Sequence, residues 1–481
     1  MAHLARRPAG KLMEVVVKSV ENIKPASSSS GFEIRKPYNL CLLDQLMSSI
    51  YTSFVFFYPA SSAANSHGPA SPPADQLKAS LSKTLNPFYP LAGRVRDNLV
   101  IDNFQAGVPI SEARVAGRTL SEFLSPPDLD LLGELVPFEP LCVLQTPSTE
   151  FDDHPQLAVQ ASTFDCGGTA IGLNFHHKIA DGGTITAFLE NWAANDKKIG
   201  GSKSNHEQLP DLNRASSVFP PRRSIPPRIA SFNAELLFQN LRRTATRRFV
   251  FGGEAIAALR GRARGIGLEN PSRTETLWAF LWESAIRASQ NEEQLQCFAN
   301  IVSIRNRMGR RLCRNTIGNM FATPIAFRSE GRGGGKQRET MKELAEVIRR
   351  SAQGVDEAYL DSISGEGGSE VMFDAMNRLA GRIGGSHEVL AGTSWLQFDL
   401  LRSFELAGLG KPVWVSMMGG ARGDRRCVEN CMILNELAGG EVAGGGMVEA
   451  WVRLDEEIMA GLERDPGFLE FASHNPAIVV T

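Results

Sequence analysis

The stretch TAIGLNFHHKIADGGTITAFLENW, residues 169–192, passes from one apolar periodicity to another. Ile171, Leu173 and Phe175 alternate with other side chains, and this period of two predicts a β-strand. After the glycine pair the apolar residues recur at helical spacing, which predicts an α-helix containing Ile185, Phe188, Leu189 and Trp192. The two histidines and the aspartate therefore lie on a strand-to-helix connection, which presents side chains at a strand end.

The same strand is predicted to be the second arm of a hairpin over residues 156–177, with a glycine turn at DCGG. His177 falls on the face of the alternating apolar residues, and His176 faces the other way. Strand patterns and amphipathic helices mix along the chain, for example the apolar run Ile50–Tyr58 and the helical run Leu77, Leu81 and Leu85. The predicted fold class is therefore α/β.

The length and composition of the chain predict two domains. A chain of 481 residues with 42% apolar residues is too long for one ordinary hydrophobic core. A stretch rich in Gly, Ser, Pro and charge, without a sustained apolar period, precedes residue 228 and marks the crossover. We expect a disordered extension over residues 1–12, an N-terminal domain over 13–196, a crossover linker over 197–227 and a C-terminal domain over 228–481.

The charge and the cysteines narrow the class of protein. The net charge is −2, from 51 basic and 53 acidic residues, which argues against binding to nucleic acid or to an anionic membrane. The run Ile50–Tyr58 is less than half the ~20 residues that a membrane helix needs. The cysteines are scattered and number 7, so we expect reduced thiols in a cytoplasmic protein. Cys427 and Cys431 could share a helix face, but no second pair has zinc spacing, so apolar packing is preferred to a metal site.

His177 is the candidate general base. A base that is neutral near pH 7 can remove a proton from an alcohol or amine as it attacks a thioester, and histidine, with an ordinary pKa of about 6.5, is suited to this. Burial at a strand end favours its neutral form. His176 is then a packing or hydrogen-bonding neighbour.

Asp181 completes an H-x-x-x-D pattern and has two interpretations. It could orient the imidazole of His177, or it could turn away and fix the loop through a charged partner, and spacing alone does not choose. A metal site formed by His176, His177 and Asp181 is disfavoured because adjacent strand residues point in opposite directions. We therefore predict no metal.

Ordered motifs along nearly the whole chain resemble the plant BAHD acyltransferases, particularly the vinorine-synthase-like branch. They are MEVVVKSVENIKP from Met13, LLDQL at 42–46, NPFYPLAGR at 86–94, FDCGGTAIGLNFHHKIADGGT at 164–184, SRTETLWAFLW at 272–282, RNRM at 305–308, NTIGNMF at 315–321, TSW at 393–395, GKPVWV at 410–415 and VEAWVRLDEEIMAGLERDPGFLEFAS at 448–473.

The resemblance implies two chloramphenicol-acetyltransferase-like domains, with mixed β-sheets and flanking helices, and a channel between them with His177 at its middle. It implies that Asp181 points away from the substrate and pairs with an arginine, which is Arg305 here, with Arg307 as the second choice. Thr393 and Trp395 match residues that line the family channel and bind substrate. Acyl-CoA, acetyl-CoA in the resembled branch, is implied as co-substrate, with no bound cofactor.

One motif departs from the family. The second family motif reads D-F-G-W-G-K-P, whereas this chain has LAGLGKP at 406–412, without the aspartate and both aromatics. The remaining glycines and the Lys-Pro pair predict that the backbone turn survives without its side-chain ties, which the resemblance assigns to the second domain. Glu405 is a candidate for a displaced carboxylate.

These features favour a CoA-dependent O-acyltransferase, an acetyltransferase by analogy to the resembled branch. Its acceptor is a small molecule, and the acetyl group goes to a hydroxyl of a plant specialised metabolite such as an alkaloid or terpenoid. We expect the protein to act as a monomer. Two alternatives stay open. The same base serves an N-acyltransferase, and the altered second motif is compatible with a catalytically degenerate protein that binds CoA or another small molecule.

Overall fold

The structure of the chain, a computed structural model, describes residues 13–26, 35–60, 74–142, 144, 151–199, 209–238, 243–265, 268–289, 295–328, 339–383, 388–418, 427–437 and 446–480. The extension predicted over residues 1–12 lies outside these ranges. Strands and helices are mixed throughout the described part of the chain, which confirms the α/β class.

The strands, in chain order, are β1 (Glu14–Ile23), β2 (Tyr38–Asn39), β3 (Tyr51–Tyr58), β4 (Arg94–Arg96), β5 (Val100–Asp102), β6 (Val108–Ala116), β7 (Phe151–Asp152), β8 (Leu157–Phe164), β9 (Thr169–His176), β10 (Thr244–Phe251), β11 (Cys297–Ser303), β12 (Phe321–Ala322), β13 (Ile325–Phe327), β14 (Val389–Ser394), β15 (Trp414–Ser416), β16 (Cys431–Leu437), β17 (Met447–Asp455) and β18 (Ser473–His474).

The helices are α1 (Leu42–Gln45), α2 (Ala74–Thr84), α3 (Leu120–Phe123), α4 (Gly182–Ile199), α5 (Arg214–Val218), α6 (Pro227–Leu237), α7 (Gly253–Ala263), α8 (Arg273–Ala288), α9 (Met341–Gln353), α10 (Glu357–Ser362), α11 (Gly368–Ile383), α12 (Leu400–Ser403), α13 (Glu456–Leu462) and α14 (Pro466–Leu469).

The first sheet has the strand order β1-β6-β8-β9-β3-β15. Strands β8 and β9 pair antiparallel from Leu157 opposite Phe175 to Thr163 opposite Thr169, which confirms the predicted hairpin. Every residue of β3 is buried, because the strand lies between β9 and β15 and is covered on both faces. This explains why its sequence, YTSFVFFY, is mostly apolar and aromatic and does not alternate between apolar and polar residues.

The second sheet has the order β12-β11-β14-β16-β17-β10-β18, with β13 paired to β11. Its strand β14 runs parallel to both β11 and β16. Helix α8 packs on this sheet and begins at a capping box. The Ser272 amide donates to the Glu275 carboxylate at 2.7 Å, and the Glu275 amide donates to the Ser272 hydroxyl at 3.1 Å. A second large apolar cluster fills the space between this sheet and helices α7, α8, α9 and α13.

A third, smaller sheet has the order β2-β5-β4-β7, and the two larger sheets are not separated cleanly along the sequence. Strand β15 comes from the C-terminal half of the chain, yet it pairs antiparallel with β3 of the first sheet, with Trp414 opposite Phe57. Helix α4 extends to Ile199 and α5 lies within the range predicted as crossover linker. The division at residues 196 and 227 remains our proposal for the domain boundaries, with residues near 400–418 attached to the first sheet.

The expectation that all cysteines are reduced is wrong for one pair. Cys142 and Cys427 form a disulfide across a short antiparallel bridge, beside which the Val428 amide donates to the Leu141 carbonyl at 2.8 Å. Cys431 begins strand β16, so it shares no helix face with Cys427. The two bonded cysteines lie 285 residues apart, and only the tertiary fold brings them together.

The LAGLGKP segment forms a turn against the first domain, not the second as the resemblance implied. The Leu406 amide donates to the Gly410 carbonyl at 3.0 Å, and Gly410 has a φ of +77°, which suits glycine. The Ala407 amide donates to Asp196 of α4 at 2.7 Å. Glu405 pairs with Lys197 at 3.0 Å, so its carboxylate is a surface tie to α4.

Candidate active site

His177 lies where the connection between β9 and α4 leaves the first sheet. Its amide donates to the Ile50 carbonyl at 2.9 Å, directly before β3. Strand β9 ends at His176 and α4 begins at Gly182, as the change of periodicity predicted. The histidine side chain is therefore fixed by the end of the central hairpin.

The imidazole of His177 contacts residues from the C-terminal half of the chain. Its Nδ1 lies 3.0 Å from the Asn319 side-chain oxygen, and its ring meets the Phe321 ring edge-on at a centroid distance of 6.0 Å. Burial lowers the pKa of His177 below the ordinary 6.5, and the nearby Asp181 charge and Asn319 oppose this only in part. The imidazole is therefore neutral at pH 7, as a general base must be.

The Asn319 side chain is oriented by two acceptors. Its Nδ2 donates to Asp44 Oδ1 at 2.9 Å and to the His177 carbonyl at 2.8 Å. Its backbone amide also donates to Asp44 Oδ1, at 2.8 Å. With both amide hydrogens used in this way, the Asn319 oxygen faces the imidazole and accepts from Nδ1–H of His177.

Asp181 does not contact the imidazole and instead forms a buried, bidentate ion pair with Arg305. The two carboxylate oxygens accept from the Arg305 guanidinium at 2.6 and 2.9 Å, and both side chains are 7% exposed. Asp181 also accepts from the amides of Thr184 and Met320, each at 2.9 Å. Arg307, the second choice of partner, donates to the carbonyls of Ala352 and Val355.

The ion pair holds the loop that carries Asn319. Arg305 donates to the carbonyls of Thr316 and Gly318 at 2.9 and 3.1 Å. Gly318 has a φ of +121°, and a Cβ there would lie 3.2 Å from both carboxylate oxygens of Asp44. Glycine is therefore required at this position. The segment is fixed on one side by Asp44, which accepts the Asn319 amide, and on the other by Asp181, which accepts the Met320 amide.

The glycine pair after Asp181 allows close packing at the start of α4. A Cβ on Gly182 would lie 2.7 Å from the Phe398 ring, and one on Gly183 would lie 2.7 Å from the Arg305 guanidinium. Both positions therefore need the absence of a side chain. This gives a packing reason for the GG that follows the aspartate.

His176 points to the other side of the strand, as the alternation predicted. Its Nε2 lies 2.9 Å from the Ser49 hydroxyl and its Nδ1 lies 3.2 Å from the Gln156 side-chain oxygen. The ring is fully buried beside Tyr51. These contacts are those of a hydrogen-bonded core histidine.

Thr393 and Trp395 stand at the end of β14. Thr393 is partly exposed and its backbone lies opposite Ile301 and Ile433 in the second sheet. Trp395 is 6% exposed and packs on Phe54, at 5.1 Å between ring centroids, and on Phe398. Trp395 therefore packs beside Gly182, and its ring is mostly covered.

Sequence reasoning gave no role to Asn319 and Asp44. Both lie in segments that match the family, LLDQL and NTIGNMF, but they stand 275 residues apart, and 319 lies 142 residues from His177. A local pattern cannot report such distant contacts. The one local signal was the glycine before Asn319, which marks a special backbone position.

Among the residues described, no group of three or more His, Cys, Asp or Glu side chains is arranged to hold a metal ion. Within the same residues, no helix has the length and apolar character required to cross a bilayer.

Known proteins match this chain almost end to end. The model of the Transferase family matches residues 13–469. Akuammiline synthase 2 from Alstonia scholaris is 30% identical, over 97% of this chain and 98% of that protein. Limonoid 21-O-acetyltransferase from Melia azedarach is also 30% identical, over 97% and 100%. Salutaridinol 7-O-acetyltransferase from Papaver somniferum is 28% identical, over 93% and 96%.

Solved structures share the fold. The crystal structure of vinorine synthase matches with a TM-score of 0.70 and 26% identity, covering 96% of this chain and 99% of that one. F. graminearum TRI101, solved with coenzyme A and T-2 mycotoxin, matches with a TM-score of 0.64 at 17% identity, covering 92% and 100%. On these matches and on the intact histidine connection, the chain belongs to the Transferase family of BAHD acyl-CoA-dependent acyltransferases.

Proposed function

We propose that the protein is an O-acetyltransferase that moves the acetyl group of acetyl-CoA to a hydroxyl of a specialised metabolite of the alkaloid or terpenoid type. The observation that carries the proposal is the buried, neutral His177, whose Nδ1 bonds to Asn319 at 3.0 Å and leaves Nε2 as the basic nitrogen. Relatives named for the O-acetylation of limonoids and salutaridinol support an acetyl donor and a hydroxyl acceptor.

The proposed reaction needs only the base and a polar environment. His177 Nε2 takes the proton of the acceptor hydroxyl while the hydroxyl oxygen attacks the thioester carbonyl. The resulting tetrahedral intermediate collapses, the carbon–sulfur bond breaks, and the proton on His177 passes to the coenzyme A sulfur. The products are an acetyl ester and free coenzyme A, and His177 is again neutral.

The other site residues have supporting roles in this proposal. Asp181 and Arg305 hold the connection and the Asn319 segment without touching the reacting atoms. Thr393, partly exposed at the end of β14, is a candidate donor to the oxyanion of the intermediate. Trp395 shapes the wall of the substrate channel through its packing on Phe54 and Phe398.

The experiment is a transfer assay with the purified protein. Acetyl-CoA and longer acyl-CoA donors are incubated with a panel of hydroxylated alkaloids, limonoids and other terpenoids, and products are detected by the mass of one added acyl group. We expect acetyl transfer by the wild type and none by His177→Ala. Transfer of a longer acyl group in preference to acetyl would refute the donor assignment.

Two rival functions are decided in the same assay. Amine acceptors in the panel detect an N-acyltransferase, for which product would form with amines and not with alcohols. A degenerate binding protein would bind acetyl-CoA in calorimetry and transfer nothing to any acceptor. The intact His177, Asn319, Asp181 and Arg305 arrangement favours transfer over binding alone.

The proposed compartment and assembly are a cytoplasmic monomer. The site is formed by the two halves of a single chain, which supports activity without a partner subunit. Gel filtration of the purified protein tests the monomer, and a dimer that loses activity on dilution would contradict it.

Rapid acid quenching and thiol labelling of cell extract test whether Cys142 and Cys427 are bonded in the cell.

A further inference from the structure

Asp44 is a buried carboxylate that is linked to the proposed base, His177, through a single residue, Asn319. It lies on the short helix α1 and is fully buried, and burial raises its pKa against the opposing hydrogen bonds from Cys41 and Asn319. Asn319 stands between Asp44 and His177 and touches both. The three side chains form a chain of hydrogen bonds that crosses from the N-terminal half to the C-terminal half and back.

Both oxygens of Asp44 accept from N–H donors. Oδ1 accepts from the backbone amide and the Nδ2 of Asn319 at 2.8 and 2.9 Å, and Oδ2 accepts from the Cys41 amide at 3.0 Å. A side chain that only accepts fits this environment. An asparagine at 44 would place its NH₂ group opposite an N–H donor in either amide orientation, because both Asp44 oxygens face the donors of Asn319 and Cys41.

Asp181 does not orient the imidazole of His177, which was one of the two interpretations of the H-x-x-x-D pattern. Its oxygens are occupied by Arg305, by the Thr184 amide and by the Met320 amide. The other titratable groups that face Asp44 are Tyr38 and Cys41, both deeply buried. Asp44 is thus the carboxylate that determines how the Asn319 amide is turned.

We propose that Asp44 is a positioning residue that sets the tautomer of His177 through Asn319. Because Asp44 binds Nδ2 of Asn319, the Asn319 oxygen faces the imidazole, Nδ1 of His177 keeps the proton, and Nε2 is free to accept one. This inference rests on the proposed function, in which His177 is the base. It assigns to a distant aspartate the orienting role that Asp181 does not fill.

The first test is Asp44→Asn, assayed for acetyl transfer over a range of pH. We expect kcat to fall roughly 10- to 10²-fold with KM for acetyl-CoA unchanged, because a turned Asn319 amide favours the tautomer with the proton on Nε2. The acid limb of kcat/KM is expected to move to lower pH, since the imidazolium would then face an N–H donor. A merely structural role for Asp44 would not move this limb.

Asp196→Asn is the matched control. Asp196 is also buried, at 3% exposure against 0% for Asp44, and it accepts the Ala407 amide from the C-terminal half at 2.7 Å, at the LAGLGKP turn and not near Asn319. We expect it to lower thermal stability without changing the acid limb. If Asp44→Asn behaves as Asp196→Asn does, the positioning role is refuted.

The second test does not need Asp44→Asn to fold, and it does not need an acceptor to be known. Nitrogen-15 spectra of histidine-labelled wild type report the tautomer of each of the 8 histidines, and the signal lost in His177→Gln identifies His177. We expect Nδ1 protonated and Nε2 bare. A His177 with Nε2 protonated in the folded wild type would overturn the inference, whereas failure of every acetyl transfer assay with the expected spectrum would count against the proposed function alone.

Discussion

Burial of the His177 imidazole determines at which pH the base works. Because burial lowers its pKa below the ordinary 6.5, we expect the acid limb of kcat/KM to have its midpoint below pH 6.5. Initial rates in buffers of constant ionic strength measure the midpoint of the acid limb. A midpoint above 6.5 would show that the charged form is favoured in the folded protein.

The same shift links the stability of the fold to pH. The unfolded chain binds a proton at His177 near pH 6.5, whereas the folded chain binds it only at a lower pH. The free energy of unfolding is therefore expected to fall as the pH drops from 6.5 towards the lower folded-state pKa. Urea unfolding at several pH values measures this slope, and His177→Gln is expected to reduce it. An unchanged slope in His177→Gln would contradict a neutral, buried His177.

The two adjacent histidines are expected to differ sharply on substitution. His177→Ala removes the base and should lower kcat at least ~10²-fold. His176→Ala removes a core side chain that bonds to Ser49 and Gln156, so it should lower the melting temperature more than it lowers kcat. Parallel assays of rate and melting temperature separate the two. An inactive His176→Ala beside a nearly normal His177→Ala would reverse the assignment.

At the scale of the connection between β9 and α4, the Asp181–Arg305 ion pair is expected to act as a unit. Asp181→Asn or Arg305→Ala leaves a buried charge without its partner, which costs roughly 3–5 kcal/mol of unfolding free energy. The double variant should lose much less than the sum of the single losses. The exposed pair Arg114–Asp165 is the control, and its substitution should change stability little. Strictly additive losses at 181 and 305 would disprove the coupling.

The LAGLGKP turn is expected to resist restoration of the family aspartate. Leu406 is 2% exposed in the apolar core of the first domain, so Leu406→Asp buries a carboxylate among apolar side chains. We expect the free energy of unfolding to fall by about 2–5 kcal/mol, and urea unfolding measures this loss. Ala407→Phe, at an exposed position of the same turn, is the control and should be close to neutral. A stabilised Leu406→Asp would mean that a cation lies within its reach.

Much of this local structure could be predicted from the sequence, because it depends on local periodicity. The hairpin of β8 and β9, helix α4 and the buried strand β3 each have a pattern written in consecutive residues. The contacts of Asn319 with His177 and Asp44 do not, since they depend on how the two sheets meet. The position of the LAGLGKP turn was mistaken for the same reason, because its attachment to α4 is made by Asp196, far away in sequence.

At the scale of the whole molecule, the disulfide joins the two halves of the chain. Cys142 and Cys427 close a loop of 285 residues, so breaking the bond frees the unfolded chain and should reduce stability by about 2–5 kcal/mol. Cys142→Ser, or dithiothreitol added to the wild type, should lower the melting temperature to the same degree. Cys166→Ser removes an exposed free thiol and should not. An effect of dithiothreitol that persists in Cys142→Ser would have to come from elsewhere in the molecule.

Strand β15 also fixes when the first sheet can be completed during biosynthesis. One edge of β3 pairs with β9, but the other waits for Trp414–Ser416, which the ribosome adds long after the rest of that sheet has emerged. Until then the nascent polypeptide carries an open edge on a strand rich in aromatic residues, and the unpaired backbone groups of such an edge can pair with other unfinished chains. The growing protein therefore stays prone to aggregate until β15 has emerged, and chaperones that cover the open strand edge during synthesis should raise its yield.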